Sequence, residues 1–268
     1  MTSRIAAVID AAHAAGRGVL VGYLPAGYPD LRTSVEAAVT LAENGADIIE
    51  LGPPYSDPVM DGPVIQEAAQ ASLSAGFRLR DLFPVVREIT DRTGVPVLIM
   101  AYWNLVLQYD VDRFADDLKA AGGAGLITPD ITPDAAADWI AASERTGLDR
   151  IFLAAPTSSD ERLAMIVRKT TGFVYTVSTM GITGERSELD AAARTLVARL
   201  RAQGARYCCV GIGISTAAHV AGVLEYADGA IVGTALVRAL RDEGIAGLGD
   251  AARTLAAGAA LSGGSASA

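Results

Sequence analysis

The chain has 268 residues, 51% of them apolar, which is enough for one large globular domain with a substantial buried core. Its formal net charge of −9 argues against nucleic acid or an anionic membrane surface as a partner. No run approaches the roughly 18 consecutive apolar residues of a membrane span. The adjacent Cys208 and Cys209 are expected to be reduced core residues of a cytoplasmic protein.

Residues 1–18 are rich in alanine with scattered charges, which predicts a short amphipathic helix and not a secretory signal. Beyond them, strand-like apolar runs alternate with amphipathic helices. The predicted strands are Val19–Leu24, Asp47–Gly52, Val95–Tyr102, Ala124–Thr128, Arg150–Ala154, Phe173–Ser178, Arg206–Gly211 and Gly229–Val232. The predicted helices are Leu31–Asn44, Leu79–Thr93, Val111–Ala121, Pro133–Thr146, Glu161–Thr170, Leu189–Gln203 and Ala217–Tyr226, with an extra helix at Val64–Ser74.

Glycines follow most of the predicted helices, as expected of helix C-caps. Eight strand–helix alternations in one domain length favour an α/β fold of the (β/α)8 TIM-barrel type over a doubly wound sheet. We expect a single barrel over residues 1–268, with an extra N-terminal helix, an extra helix after strand 2 and a flexible tail from about residue 258. The capping glycines are Gly45, Gly94, Gly122, Gly147, Gly172 and Gly204.

Glu50 stands among Ile and Leu at the far end of the second strand, and a proline-rich loop then brings Asp57 and Asp61. A buried carboxylate should have a raised proton affinity, which suits acid–base catalysis near neutral pH. An ion pair between Glu50 and an arginine is an equally good interpretation. Because Ile48 and Glu50 share a strand face, an inward Glu50 would lie at the barrel mouth, where such barrels place their active sites.

Other polar residues end neighbouring strands. Tyr175, on the sixth strand, either donates to a substrate oxygen or a carboxylate, or is a core tyrosine with a satisfied hydroxyl. Tyr102 and Asn104, after the third strand, either line the pocket or only terminate the strand.

Three glycine-rich turns follow strands six, seven and eight, at residues 181–184, 211–215 and 233–234. Backbone amides of such turns, at helix N-termini, bind phosphate, and the loops after strands seven and eight are the usual phosphate site of these barrels. Because the turns carry no Lys or Arg, an anion would be held by oriented N–H groups and by the hydroxyls of Ser215 and Thr234.

The two lysines, Lys119 and Lys169, fall within predicted outer helices, so Schiff-base chemistry is nearly excluded. His13 and His219 are far apart and no zinc-type spacing occurs, which argues against a zinc-dependent aldol mechanism and predicts no metal site. The chemistry that these exclusions leave is acid–base catalysis by carboxylates on a phosphorylated small molecule.

The chain resembles the tryptophan synthase alpha subunit family over nearly its full length. The resemblance rests on Glu50-Leu51-Gly52, Pro54-Tyr55-Ser56-Asp57-Pro58 and Asp61-Gly62-Pro63-Val64-Ile65-Gln66, and on the three glycine-rich turns. It implies a (β/α)8 barrel and a carbon–carbon lyase that cleaves indole-3-glycerol phosphate to indole and glyceraldehyde 3-phosphate. Indole would then pass to a beta subunit carrying pyridoxal phosphate, in an alpha2beta2 heterotetramer; no cofactor is implied for this chain.

The resemblance also implies residue roles. Glu50 would be the principal acid–base residue, Asp61 would hold the indole N–H, and Tyr175 would lie near Glu50 and the glycerol portion. The implied phosphate ligands are Thr183, Gly184, Gly213, Gly233 and Thr234, and the implied indole-pocket residues are Tyr23, Tyr102 and Leu153.

Two loops resemble the family's communication and closing segments, namely residues 53–60 with Asp57 and residues 180–188 with Gly181. The chain departs from the family pattern at Pro53, at Thr179 and at Tyr23, which stands where phenylalanine is frequent.

Two other functions fit less well. A sugar-phosphate isomerase or epimerase would share the phosphate loops but gives no reason for an aromatic pocket beside Asp61. A catalytically silent barrel acting only as a scaffold has no reason to keep a buried charge at Glu50.

Overall fold

A computed structural model describes residues 3–177, 186–211 and 213–261. In this part of the chain, eight parallel strands form a closed barrel in sequence order. The strands are β1 (Val19–Pro25), β2 (Ile48–Gly52), β3 (Val97–Met100), β4 (Gly125–Thr128), β5 (Asp149–Ala154), β6 (Val174–Thr176), β7 (Cys208–Val210) and β8 (Gly229–Val232). The predicted (β/α)8 barrel is therefore confirmed.

Helices surround the barrel, and a 3-10 turn at Leu79–Asp81 precedes the fourth of them. The helices are α1 (Arg4–Ala14), α2 (Leu31–Glu43), α3 (Pro63–Ser74), α4 (Leu82–Thr93), α5 (Trp103–Tyr109), α6 (Val111–Ala120), α7 (Ala137–Thr146), α8 (Asp160–Lys169), α9 (Arg186–Ala202), α10 (Ala217–Leu224) and α11 (Thr234–Leu261). The extra helices at the N-terminus and after the second strand, α1 and α3, are both present.

Glycines in a left-handed conformation stand at or near the ends of several helices. The six glycines predicted as C-caps all have positive φ, between 70° at Gly94 and 104° at Gly45. This left-handed conformation costs a glycine little, and it lets the chain turn from each helix toward the next strand.

The structure differs from the sequence prediction at several elements. The third strand ends at Met100, and the short helix α5, which was not predicted, follows it. The backbone amide of Trp103, at the start of α5, donates to the Asp130 carboxylate at 2.8 Å, a contact that no local pattern reveals. Helix α11, which was also not among the predicted helices, runs from Thr234 to Leu261, past the predicted start of the tail, with one non-helical residue at Gly244.

Alternate strand residues supply two separate cores. Ile48, Leu98 and Ile151 belong to the cluster inside the barrel, whereas Ile49 and Leu51 pack outward against the helices. This alternation follows from the two-residue period of a strand.

Helix α1 closes the N-terminal end of the barrel. Ile5 and Ile9 are fully buried in the interior cluster. The Asp149 carboxylate accepts hydrogen bonds from the Ser3 hydroxyl at 2.8 Å and from the Ile5 backbone amide at 3.3 Å, which fixes the start of this helix. In the part of the chain that the structure describes, the opposite, C-terminal end of the barrel is the end that α1 leaves open to a ligand.

The two cysteines are buried free thiols, as predicted. Cys208 packs outward against the helices and Cys209 packs inside the barrel.

Candidate active site

Glu50 lies inside the barrel near its C-terminal mouth. It shares the face of Ile48, a member of the interior cluster, and its side chain is 0% exposed. Within the described residues neither carboxylate oxygen has a hydrogen-bond partner, and no arginine pairs with it. Burial, with a smaller contribution from the charge of Asp61, raises the pKa of Glu50 to about 8. The ion-pair interpretation of this residue is therefore wrong.

Asp61 lies beside Glu50, in the loop between β2 and α3. Burial raises the pKa of Asp61, and a hydrogen bond from the Tyr102 hydroxyl offsets part of that rise. The same hydroxyl accepts a hydrogen bond from the Met60 backbone amide at 3.0 Å. Tyr102 therefore holds the loop and also interacts with the carboxylate that the loop carries.

Two further tyrosines face the carboxylates. Tyr23 is paired in register with Glu50 on the adjacent strand. Tyr175 lies on β6, with its hydroxyl over Gly211: a Cβ placed on that glycine would lie 2.5 Å from the Tyr175 Oη. Burial raises the pKa of both phenols well above the usual range, and the charges of Glu50 and Asp61 raise them further. The mouth is thus a cluster of acids from different strands.

Leu153 completes the predicted indole pocket. It lies on β5, packs against the interior cluster and is paired in register with Tyr175. The predicted pocket residues on β1, after β3 and on β5 therefore lie at the same end of the barrel as Glu50.

The loop of residues 53–60 is linked to α5. The rings of Tyr55 and Tyr102 stack with their centroids 5.1 Å apart. The Asn104 side-chain amide donates to the Tyr55 hydroxyl at 3.3 Å. Asp57 is exposed, where the Ser56 hydroxyl donates to its carboxylate. Sequence reasoning considered Asn104 as a pocket-lining residue or a strand terminator, and it missed the link to Tyr55 because that partner lies 49 residues away in the sequence.

The predicted phosphate-binding residues are divided between described and undescribed parts of the chain. Gly233 and Thr234 lie where β8 passes into the N-terminus of α11, and Gly213 has a left-handed φ of 57° in the turn after β7. The first amides of a helix have no partners within the helix, so the turn from β8 into α11 offers hydrogen-bond donors to an anion. Thr179, Gly181, Thr183 and Gly184 lie outside the described residues.

The lysines occupy the predicted positions on the outer helices, Lys119 in α6 and Lys169 in α8. In the described ranges, no three His, Cys, Asp or Glu side chains are grouped as metal ligands. Among the helices described, none combines the length and hydropathy of a membrane span.

The closed barrel, with two adjacent carboxyl groups and three phenols at its C-terminal mouth, has the architecture of a (β/α)8-barrel enzyme. The comparisons with known proteins specify the family. The family model described as "Tryptophan synthase alpha chain" matches residues 9–259. The chain belongs to the tryptophan synthase alpha chain family.

Individual relatives agree with this assignment. A tryptophan synthase alpha chain from Leifsonia xyli subsp. xyli (strain CTCB07) is 65% identical over 257 residues, which cover 96% of this chain and 98% of the relative. Mycobacterium tuberculosis tryptophan synthase superimposes with a TM-score of 0.92 at 51% identity, covering 97% of this chain and 100% of that one. A tryptophan synthase complex from Pyrococcus furiosus superimposes with a TM-score of 0.81 at 34% identity, covering 89% of this chain and 98% of that one.

Proposed function

We propose that this chain cleaves indole-3-glycerol phosphate to indole and glyceraldehyde 3-phosphate by a retro-aldol reaction, with Glu50 as the acid and base. The observation that carries this proposal is the state of Glu50: fully buried, without a hydrogen-bond partner in the described residues, and with a pKa of about 8. A carboxyl group with that pKa is mostly protonated at neutral pH, yet it can still act as a base after it has given up its proton.

In the first step, the Glu50 carboxyl group donates its proton to the indole ring carbon that bears the glycerol side chain. The ring becomes an indolenine and gains positive charge at its nitrogen. Asp61, adjacent to Glu50, accepts a hydrogen bond from the indole N–H and stabilises that charge. Its hydrogen bond from Tyr102 orients the carboxylate for this role.

In the second step, the Glu50 carboxylate removes the proton from the hydroxyl group on the side-chain carbon next to the ring. The carbon–carbon bond breaks, its electron pair returns to the indole, and the side-chain carbon becomes the aldehyde of glyceraldehyde 3-phosphate. One proton has been added to carbon and one removed from oxygen, so Glu50 returns to its starting state. The Tyr175 hydroxyl, which faces Glu50, is placed to contact the glycerol portion.

The phosphate group would be bound by the backbone amides at Gly213, Gly233 and Thr234, together with the Thr234 hydroxyl. The N-terminus of α11 supplies both free amides and the positive end of the helix dipole. Thr183 and Gly184 are proposed as additional ligands from the turn after β6. The indole ring would then pack between Tyr102 and Leu153.

The partner proposed for this chain is a tryptophan synthase beta subunit, in an alpha2beta2 assembly. A structural relative forms a tryptophan synthase complex, and this chain exposes apolar side chains beside the mouth, with Val59 77% and Leu107 52% exposed. Asp57 lies in the same exposed loop and would contact the partner. The chemistry proposed for this chain needs no cofactor of its own; pyridoxal phosphate would reside on the beta subunit.

The test is to incubate the purified chain with indole-3-glycerol phosphate, with and without a beta subunit, and to measure indole. Glu50→Gln should fold normally and lose at least ~10²-fold in turnover. The matched control is Glu88→Gln, which removes a carboxylate from the exposed face of α4. Near-normal turnover of Glu50→Gln would show that Glu50 is not the acid–base group.

A further inference from the structure

Tyr23 fills the space between two glycines at the mouth of the barrel. A Cβ placed on Gly52 would lie 2.3 Å from the Tyr23 Oη, and one placed on Gly233 would lie 3.2 Å from its Cδ1. The ring therefore extends from the turn after β8 to the end of β2. Its side chain is buried, with 9% of the residue exposed.

This position brings the Tyr23 hydroxyl close to Glu50. Gly52 lies two residues beyond Glu50 on the same strand face, a separation of about 7 Å along a strand. Tyr23 and Glu50 are also register partners on adjacent strands, so their side chains lie on the same face of the sheet. In the described part of the chain neither carboxylate oxygen of Glu50 accepts a hydrogen bond.

Among the described residues, the titratable groups that face Glu50 from other elements are all acids. They are Asp61 from the loop after β2, Tyr23 from β1, Tyr175 from β6 and Cys209 from β7. A buried carboxylate in such surroundings needs a hydroxyl donor, because an anion without one is costly to form. Tyr23 lies on the strand adjacent to Glu50 and in register with it, whereas Tyr175 reaches it from across the barrel.

We propose that Tyr23 is a positioning residue whose hydroxyl donates a hydrogen bond to the Glu50 carboxylate once Glu50 has given up its proton. This inference deepens the proposed function and rests on it for the catalytic step. A phenylalanine at residue 23 would fill the same space between the two glycines but would leave the anionic form of Glu50 without this donor. The hydroxyl group therefore tunes the strength of the acid, and the ring by itself does not.

The test compares Tyr23→Phe with the wild-type chain, with Tyr226→Phe as the matched control. Tyr226 donates its hydroxyl to Asp190 at 2.9 Å on the outer surface, so that variant removes the same group far from the mouth. The first measurement is the titration of the Glu50 carboxyl carbon by NMR in chains labelled at glutamate, with Glu50→Gln used to assign the signal. The second is indole formation as a function of pH, with the melting temperature measured to verify folding.

In Tyr23→Phe, we expect the Glu50 titration to move about one pH unit upward, since a hydrogen bond to the charged form is lost. We also expect kcat/KM for indole formation to fall by about tenfold. Tyr226→Phe should change neither measurement.

An unchanged Glu50 titration in Tyr23→Phe would overturn the proposal, whether or not turnover falls, because the hydroxyl would then act on something other than Glu50. If the wild-type chain forms no indole but the titration still shifts, the proposed function fails and the contact between Tyr23 and Glu50 stands.

Discussion

The backbone amide of Met60 donates a hydrogen bond to the Tyr102 hydroxyl at 3.0 Å. The same hydroxyl interacts with the carboxylate of Asp61 and lowers its pKa, so a single phenol at the start of α5 acts on both the loop and its functional group. The loop of residues 53–60 and helix α5 are therefore both in contact with the residue that interacts with Asp61. A partner that contacts the exposed residues of either segment would act on the site through this phenol.

The first prediction concerns this contact. Tyr102→Phe removes a hydrogen bond that lowers the pKa of Asp61, so that pKa should rise. If ionised Asp61 is needed to hold the indole N–H, the acidic limb of the kcat/KM profile should move to higher pH. The measurement is kcat/KM for indole formation at a series of acidic pH values. The control, Asp61→Asn, should be severely impaired and should show no acidic limb. If the acidic limb of Tyr102→Phe does not shift, the Tyr102 hydroxyl does not set the pKa of Asp61.

The alkaline limb of the same pH profile should reflect the ionisation of Glu50. The protonated form of Glu50 begins the reaction and its pKa is about 8, so kcat/KM should fall as the pH rises above about 8. In a variant with residual activity, Asp61→Asn, this limb should lie at lower pH, because a like charge that raises the pKa of Glu50 has been removed. A profile that stays flat above pH 8 would contradict the role of Glu50 as the initial acid.

The raised pKa of Glu50 also affects stability. The folded chain binds this proton more tightly than the unfolded chain, whose glutamate has a pKa near 4.5, so the free energy of unfolding should decrease between pH 4.5 and about 8. The free energy of unfolding of Glu50→Gln, taken relative to that of the wild type, should therefore be roughly 4 kcal/mol higher at about pH 9 than at about pH 5. Urea unfolding at the two pH values measures this difference. Equal changes with pH in both chains would mean that the pKa of Glu50 is not raised in the folded state.

The phosphate site can be tested at Thr234, which begins α11. Thr234→Val keeps the shape of the side chain and removes one hydroxyl donor to the phosphate. We expect KM for indole-3-glycerol phosphate to rise by about tenfold with kcat little changed, since the phosphate is bound equally in the ground state and the transition state. Thr254→Val, which removes an exposed hydroxyl far along the same helix, is the control. A loss confined to kcat would contradict the assignment.

The role of α1 as the closure of the barrel predicts a stability effect without a direct effect on the site. Ile9 is fully buried in the interior cluster, so Ile9→Ala should lower the free energy of unfolding by roughly 2–5 kcal/mol. Val8→Ala, at a half-buried position of the same helix, should cost less. Denaturant unfolding measures both. Equal losses for the two variants would mean that α1 does not close the barrel tightly.

Much of the fold could be predicted from local features. The glycines after the helices, such as Gly94 and Gly147, marked the helix ends, and their positive φ values agree with that interpretation. The period of the second strand placed Glu50 on the face of Ile48, which the structure shows to be inside the barrel. Helix α5 could not be predicted in this way, because it is short and its first amide is bound by Asp130 from a distant loop.

The sequence by itself determined the barrel, the order of its elements and the position of Glu50 at a strand end, because periodicity and helix capping act between residues that are close along the chain. Only the tertiary structure decided that Glu50 has no cation beside it in the described residues and lies close to Asp61 and Tyr23. The pKa of a buried group depends on desolvation and on neighbouring charges, and these come from strands and loops that meet only when the barrel closes.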